Sequence, residues 1–257
     1  MSRNKPQPQM LMSAVRQKHR RSPLLRRLRQ QQAVAKLGEM ALVASDLDLL
    51  FSEALDLIAQ NLDVELCKVL EILPGGKELL LRAGIGWQEG LVGRAKVGAE
   101  RESQAGYTLL SDEPVIVTDT RLETRFSGPQ LLVDHGVVSG ISVVIRGREQ
   151  PFGVLGAHTI RRRKFSGHDA QFLKSMANIL AFTAERMRDH DAIRVSRDQL
   201  SVILDGISEG VSVQDPSGEL IYVNQKAAEI LGYPSVEAVL QTPVRETVSY
   251  THLTLPT

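Results

Sequence analysis

Residues 137–160, VVSGISVVIRGREQPFGVLGAHTI, are the stretch from which the fold can be read. Two runs rich in Val, Ile and Thr, 137–145 and 152–160, flank the charged connection Arg146-Gly147-Arg148-Glu149-Gln150-Pro151. Such runs on either side of a Pro-containing connection predict a β-hairpin. Strand alternation sends Ile141, Val143 and Ile145 one way and Val138, Gly140, Ser142 and Val144 the other. One face is strongly apolar and the other small or mixed. That is the pattern of a central hairpin whose two faces meet different neighbours.

The totals bound the class. The chain has 257 residues, 42% hydrophobic and 24% charged, which suits one or two soluble globular domains. Cys67 is the only cysteine, so no disulfide framework or multi-Cys zinc site can form, and a reducing, cytoplasmic setting is expected. No apolar run approaches the ~18 residues of a membrane span. Net charge is +1, but residues 1–38 hold ten Lys or Arg and no acid, leaving 21 basic against 30 acidic residues in the remainder. The asymmetry belongs to an N-terminal arm. Residues 1–22 read as a solvated tail; a nucleic-acid contact is the less favoured alternative, because no aromatic residues are interleaved to stack on bases.

From Pro23 an amphipathic helix runs to about residue 44, and Ser45 with Asp48 looks like the capping box of a second helix, 47–61. Residues 66–73 and 78–83 form a hairpin about the turn Pro74-Gly75-Gly76-Lys77. The segment 84–106 is rich in glycine but lacks a phosphate-loop signature and reads as a loop over a pocket or a plain irregular loop. Within it Trp87 is either a pocket wall or a packing anchor. A short helix over 103–112, a strand over 114–118 and a loop with a short helix over 125–136 lead to the central hairpin. The run Arg161-Arg162-Arg163-Lys164 reads as a solvated turn rather than an anion site. Ser166 with Asp169 is a further capping box, opening a long helix in which Phe172, Met176, Ile179, Thr183, His190, Ile193, Leu200, Leu204 and Ile207 form a weak coiled-coil seam. Two short strands then flank Asp215-Pro216-Ser217-Gly218, Asn224 caps a helix ended by Gly232, and Ser235 opens one more.

These segments carry a resemblance. LCKVLEILPGGKELLLRAGIGWQEGLVG, SQAGYTLLSDEPVIVTDT, TRFSGPQLLVDHGVVSGISVVIRG and PFGVLGAHTIRRRKFSGHDAQFLKSMANILA, in that order, resemble a GAF domain of bacterial signalling proteins over about 37–187. ILDGISEGVSVQDPSGELIYVNQKAAEILGYPSVEAVL resembles the first half of a PAS domain. The resemblance implies an α+β fold: an antiparallel sheet of about six strands with helices on one face and a small-molecule pocket under loops on the other. It also implies helices that pair across a homodimer and pass signals to an output domain, of histidine kinase or diguanylate cyclase type. The expected organisation is a basic arm over 1–22, a GAF domain with its leading helix over 23–187, a helical linker over 188–205 and a partial PAS domain over 206–247. Residues 248–257, VSYTHLTLPT, resemble translated sequencing adapter and are set aside.

Candidate pocket residues are Leu70, Trp87, Tyr107, Ile141, Val143, Leu155 and Ala157. The helices 23–44 and 166–205 are the expected dimer contacts. No catalytic or metal-ligating residue is assigned, and no cofactor. Bilin attachment in phytochromes uses a pocket-region Cys, whereas Cys67 lies on the first strand. Cyclic-nucleotide GAF domains carry Phe-x3-Asp-Glu; Phe165 and Asp169 match, but Ala170 replaces the Glu, so cyclic GMP is disfavoured. His158 reads as a packed or hydrogen-bonded core histidine. An enzymatic alternative, methionine sulfoxide reduction as in a few GAF-fold proteins, would need more than one cysteine.

Overall fold

A computed structural model describes residues 23–242. The basic arm 1–22 and the adapter-like stretch 248–257 lie outside the described residues. The chain divides into two units, up to Arg188 and from Asp189 onward.

The first unit begins with α1 (Pro23–Val43) and α2 (Leu47–Leu62). Pro23 is tolerated in a first turn, whose N–H groups have no intrahelical partner. The N-cap of α2 is Asp46, not Ser45: its side chain accepts from the backbone N–H groups of Asp48 and Leu49 at 2.8 and 3.1 Å. Asp63 closes α2 in the left-handed region (φ 52°).

Strands β1 (Leu66–Ile72), β2 (Glu78–Ile85), β3 (Lys96–Gly98), β4 (Val115–Val117), β5 (Ser139–Ile145) and β6 (Gly153–Thr159) form one antiparallel sheet in the order β3-β2-β1-β6-β5-β4. The hairpin β5–β6 has the expected connection, and every residue of both strands is buried. The glycine-rich segment is less irregular than its composition implied, because β3 pairs with β2 inside it. Ser103 caps the short helix α3 (Gln104–Leu109) by accepting from the Gly106 N–H at 2.9 Å. A 3-10 turn (Thr120–Leu122) and α4 (Gln130–Asp134) complete the loop side.

The last element of this unit is the first part of α5 (Gly167–Asp205). Its capping box is reciprocal: Asp169 N–H donates to Ser166 Oγ at 3.3 Å, and Ser166 N–H donates to Asp169 Oδ2 at 2.9 Å. One sheet face packs on α1, α2 and α5. Cys67, Val69, Ile141, Val143, Ile145, Leu155 and Ala157 meet Leu37, Phe51, Leu55, Ile58, Leu173 and Leu180 there. Burying each such large side chain is worth about 1.5–3 kcal/mol, so this layer dominates the stability of the unit. Phe172, Met176 and Thr183, expected in a coiled-coil seam, are instead buried in this unit. The helix starts as core and becomes exposed only further along: residues 188–203 are exposed throughout.

The second unit contains β7 (Ser212–Gln214) paired with β8 (Leu220–Val223), then α6 (Gln225–Leu231) and α7 (Val236–Leu240). Val223, Ala227, Ala228 and Val239 form its small core. Asn224 caps α6 and Gly232 ends it in the left-handed region, both as the sequence implies.

Candidate ligand site

The two faces of the sheet differ more sharply in chemistry than the sequence alone revealed. Opposite the helix layer, the strands present a row of small and polar residues. Lys68 on β1 pairs with Gly84 on β2 and Gly156 on β6; Gly156 pairs with Ser142 on β5. In the next row His158 lies between Leu66 and Gly140.

The two glycines beside His158 make room for it. A Cβ at Gly140 would fall 2.4 Å from His158 Nδ1, and one at Gly156 2.7 Å from Nε2. The Lys68 stem also lies over Gly156, where a Cβ would meet its Cε at 3.2 Å. Gly84 clears space for Trp87 in the same way, since a Cβ there would be 2.4 Å from the indole Cδ1. Three strands thus give up side chains so that Lys68, His158 and Trp87 can share one layer.

Trp87 covers the group. Its ring centroid is 5.6 Å from the Lys68 ammonium and 6.3 Å from the His158 ring, and His135, next after α4, meets the indole edge-on at 4.9 Å. The indole N–H donates to the backbone oxygen of Cys67 at 2.7 Å, and the ring packs on Leu66, Leu132 and Val137. Trp87 is therefore a packing anchor, and it covers the buried Lys68 and His158.

The enclosure is electrostatically unbalanced. Lys68 is 2% exposed, and burial pulls its ammonium down to about 7. His158 is fully buried; burial first, and the charge of Lys68 second, hold it well below its ordinary value, so the imidazole is neutral. Both ring nitrogens lack a hydrogen-bond partner among the described residues. Of the two expected alternatives, a packed or a hydrogen-bonded core histidine, His158 is the packed one, and it is unsatisfied at a cost of about 1–3 kcal/mol per unmade bond.

The candidate residues split between the two faces. Leu70 and Trp87 belong to the loop side, where Leu79, Leu81, Val97, Ala105 and Val154 also pack. Ile141, Val143, Leu155 and Ala157 point the other way, into the helix layer. The correction has a physical reason: the more apolar face is the one that covers helices, while a polar enclosure needs the small and hydrophilic alternates. Tyr107 packs on Phe126, with ring centroids 5.3 Å apart, and under the Arg125 guanidinium. Lys68, missed by sequence reading, is flanked by apolar residues in β1. Its signal was a lysine in phase with Leu66 and Leu70 on the same face of the strand.

Other sequence features have structural duties. Cys67 faces the helix layer, where burial drives its thiol far above the usual range. Phe165 is buried beneath the Arg163 guanidinium, and Asp169 takes part in the α5 cap. The basic run after β6 is more than a solvated turn: Arg161 donates to the Asp63 backbone oxygen at the end of α2, and Arg163 to those of Leu62 and Asp63. No group of three or more His, Cys, Asp or Glu residues among the described residues is placed to hold a metal ion.

A GAF domain family model matches residues 46–183, and a PAS domain model matches 198–254, extending past Val248. No curated protein sequence matches the chain significantly. Among solved structures, the chain is similar to the GAF domain of a phosphoenolpyruvate-protein phosphotransferase from Coxiella burnetii. That likeness has a TM-score of 0.59 at 16% identity and covers 65% of this chain and 98% of that one. The corresponding Acinetobacter GAF domain gives 0.55 at 17%, covering 63% and 97%. A free methionine-R-sulfoxide reductase from Neisseria meningitidis gives 0.54 at 16%, covering 63% and 91%. These likenesses concern the fold, a six-stranded antiparallel sheet flanked by helices. With the family model spanning more than half of its residues, the chain belongs to the GAF domain family.

Proposed function

We propose that this chain is the sensory input module of a signal-transduction protein, in which a small ligand on the loop face biases the arrangement of the helices on the other. The observation that carries the reading is the asymmetry of the sheet. One face is sealed by α1, α2 and α5, while the other buries Lys68 against the Trp87 indole and leaves both His158 ring nitrogens unpaired among the described residues. GAF and PAS domains are typical sensory modules, and α5 runs on from the first unit toward the PAS part. A ligand can shift such an equilibrium only by its differential affinity for the two arrangements, typically about 1–3 kcal/mol.

In this reading the module does no chemistry of its own: Cys67 is buried and its thiol is held protonated. It works in the cytoplasm, feeding an output domain of histidine kinase or diguanylate cyclase type. Among the described residues no helix is long and apolar enough to cross a membrane.

The relay is a homodimer. Leu24 and Leu28 on α1 are exposed, as are Phe182, Ile193 and Leu200 on α5, which fits helices that pair with a second copy. Light scattering of the full chain at tens of micromolar is expected to give a dimer, and Phe182→Asp a monomer. A wild-type monomer at that concentration overturns the relay.

A further inference from the structure

The strongest unexplained feature of the molecule is the Lys68–His158 pair. A buried ammonium normally lies against a carboxylate or a set of carbonyl oxygens. Lys68 has no salt-bridge or hydrogen-bond partner among the described residues; what faces it is the indole of Trp87. The neighbouring imidazole has two idle nitrogens. Around Trp87 the walls are apolar, with Leu66, Leu132 and Val137 beside it and Leu70 and Val154 along the same sheet face, while Ser142 in the adjoining row is already paired with Thr108.

We infer that this enclosure recognises a small monocarboxylate whose apolar body takes the place of the Trp87 indole. The assignment rests on the sensory reading above and names the ligand class. The Lys68 ammonium supplies one positive charge for one carboxylate. The neutral His158 ring supplies one N–H donor for the second oxygen, and its other nitrogen is free to accept. A neutral ligand leaves the ammonium uncompensated. A phosphate dianion carries more charge than one ammonium balances and more oxygens than these two side chains can satisfy. A cation is repelled. The apolar walls select a hydrocarbon or aryl body over a polar one.

The entry route is built into the segment that carries Trp87. Gly86, Gly90 and Gly93 all adopt left-handed backbone angles of 79° to 83°. Trp87 itself is held by one hydrogen bond, to the Cys67 oxygen, and by side-chain packing. A ligand that offers Lys68 a charged partner replaces a cation–π contact with a stronger, charge-assisted hydrogen bond. Exchange of the indole for the ligand body then costs little apolar burial.

Trp87 is the only tryptophan in the chain, so its emission reports directly on the site. The full-length protein is titrated with acetate, butanoate and benzoate, with benzamide as the neutral isostere of benzoate and inorganic phosphate as the dianion. Benzoate is expected to change Trp87 emission saturably, with acetate the weakest of the three acids and benzamide and phosphate at least about tenfold weaker than benzoate. Lys68→Met and His158→Gln, each shown to be folded by circular dichroism, are expected to lose about tenfold or more in benzoate affinity. The assignment is overturned if no acid gives a saturable change, if benzamide or phosphate matches benzoate, or if both folded variants bind benzoate like the wild type. A dimer whose Trp87 ignores all three acids sinks the carboxylate assignment alone. A monomer that binds benzoate sinks the dimer relay alone.

Discussion

Gly140 stands directly across the β5–β6 ladder from His158, and a Cβ on it would lie 2.4 Å from the imidazole Nδ1. The glycine is there because the buried ring occupies the space a side chain would use. Gly140→Ala is expected to cost about 1–3 kcal/mol, the usual penalty of overpacking a tight interior. Gly38, inside α1 with open space for 4 Å around the point where a Cβ would sit, is the contrasting control. Gly38→Ala is expected to stabilise by up to about 1 kcal/mol through helix propensity. Urea denaturation of both variants decides; equal effects of the same sign would contradict the packing argument.

Lys68 makes stability depend on pH in a specific direction. Its ammonium falls from 10.5 in the unfolded chain to about 7 in the folded one. Between those values the unfolded chain holds a proton that the folded one has released, so stability rises with pH across that window. Lys68→Met keeps the stem and removes the charge. It is expected to stabilise the protein at neutral pH by roughly 2 kcal/mol and to flatten the curve between pH 7 and 10. Denaturation series across that range measure both effects. His158, which faces Lys68 and is held neutral, adds a loss of stability as pH falls below about 6.5.

Asp169 joins α1 to the start of α5. It is 1% exposed, pairs with Arg26, accepts from Gln30 Nε2 at 3.1 Å and closes the Ser166 capping box. Burial alone would raise its carboxyl, but the hydrogen bonds from Arg26 and Ser166 outweigh it and leave it lowered. Asp169→Asn is expected to cost about 2–4 kcal/mol, and Ser166→Ala about 1 kcal/mol. Because the folded carboxyl is lowered, the stability that it adds is lost as pH falls through its folded value; the Asn variant should lack that acid limb. A calorimetric melting series from neutral to acid pH tests both points.

Asn224 is the keystone of the second unit. It is fully buried, accepts from the N–H groups of Val211 at 2.8 Å and Ala227 at 2.9 Å, and donates to the Leu204 and Glu209 oxygens at 2.9 and 3.0 Å. Asn224→Ala is expected to cost that unit about 2–4 kcal/mol, leaving buried backbone groups unpaired. In hydrogen exchange the amides of β7, β8 and α6 should lose protection while those of β5 and β6 stay protected. Equal loss in both units would mean that they unfold together.

Legible in the residues alone were the order of all strands but β3, the two hairpins, the caps at Ser166, Asn224 and Ser235, and the two-faced character of β5 and β6. Those features depend on periodicity two and on local hydrogen bonds, which neighbours in the chain supply. The sequence pattern misplaced the cap of α2 by one residue because Ser45 and Asp46 are both good capping residues, and backbone direction chooses between them. It missed β3, whose three residues pair with the preceding strand across a glycine-rich connection that carries no strand pattern.

Which sheet face covers the helices is settled by packing between distant segments. Ile141, Val143, Leu155 and Ala157 are apolar enough for either a pocket or a core; the packing of α1, α2 and α5 makes them core. Tertiary structure also decided the fate of Lys68 and His158. A lysine on a strand is normally solvated, and only the glycines at 84, 140 and 156 together with the indole of Trp87 bury these two side chains. That arrangement joins four strands and a loop across some ninety residues of sequence. Burial is set by what surrounds a group in three dimensions, and no local pattern of residues encodes it.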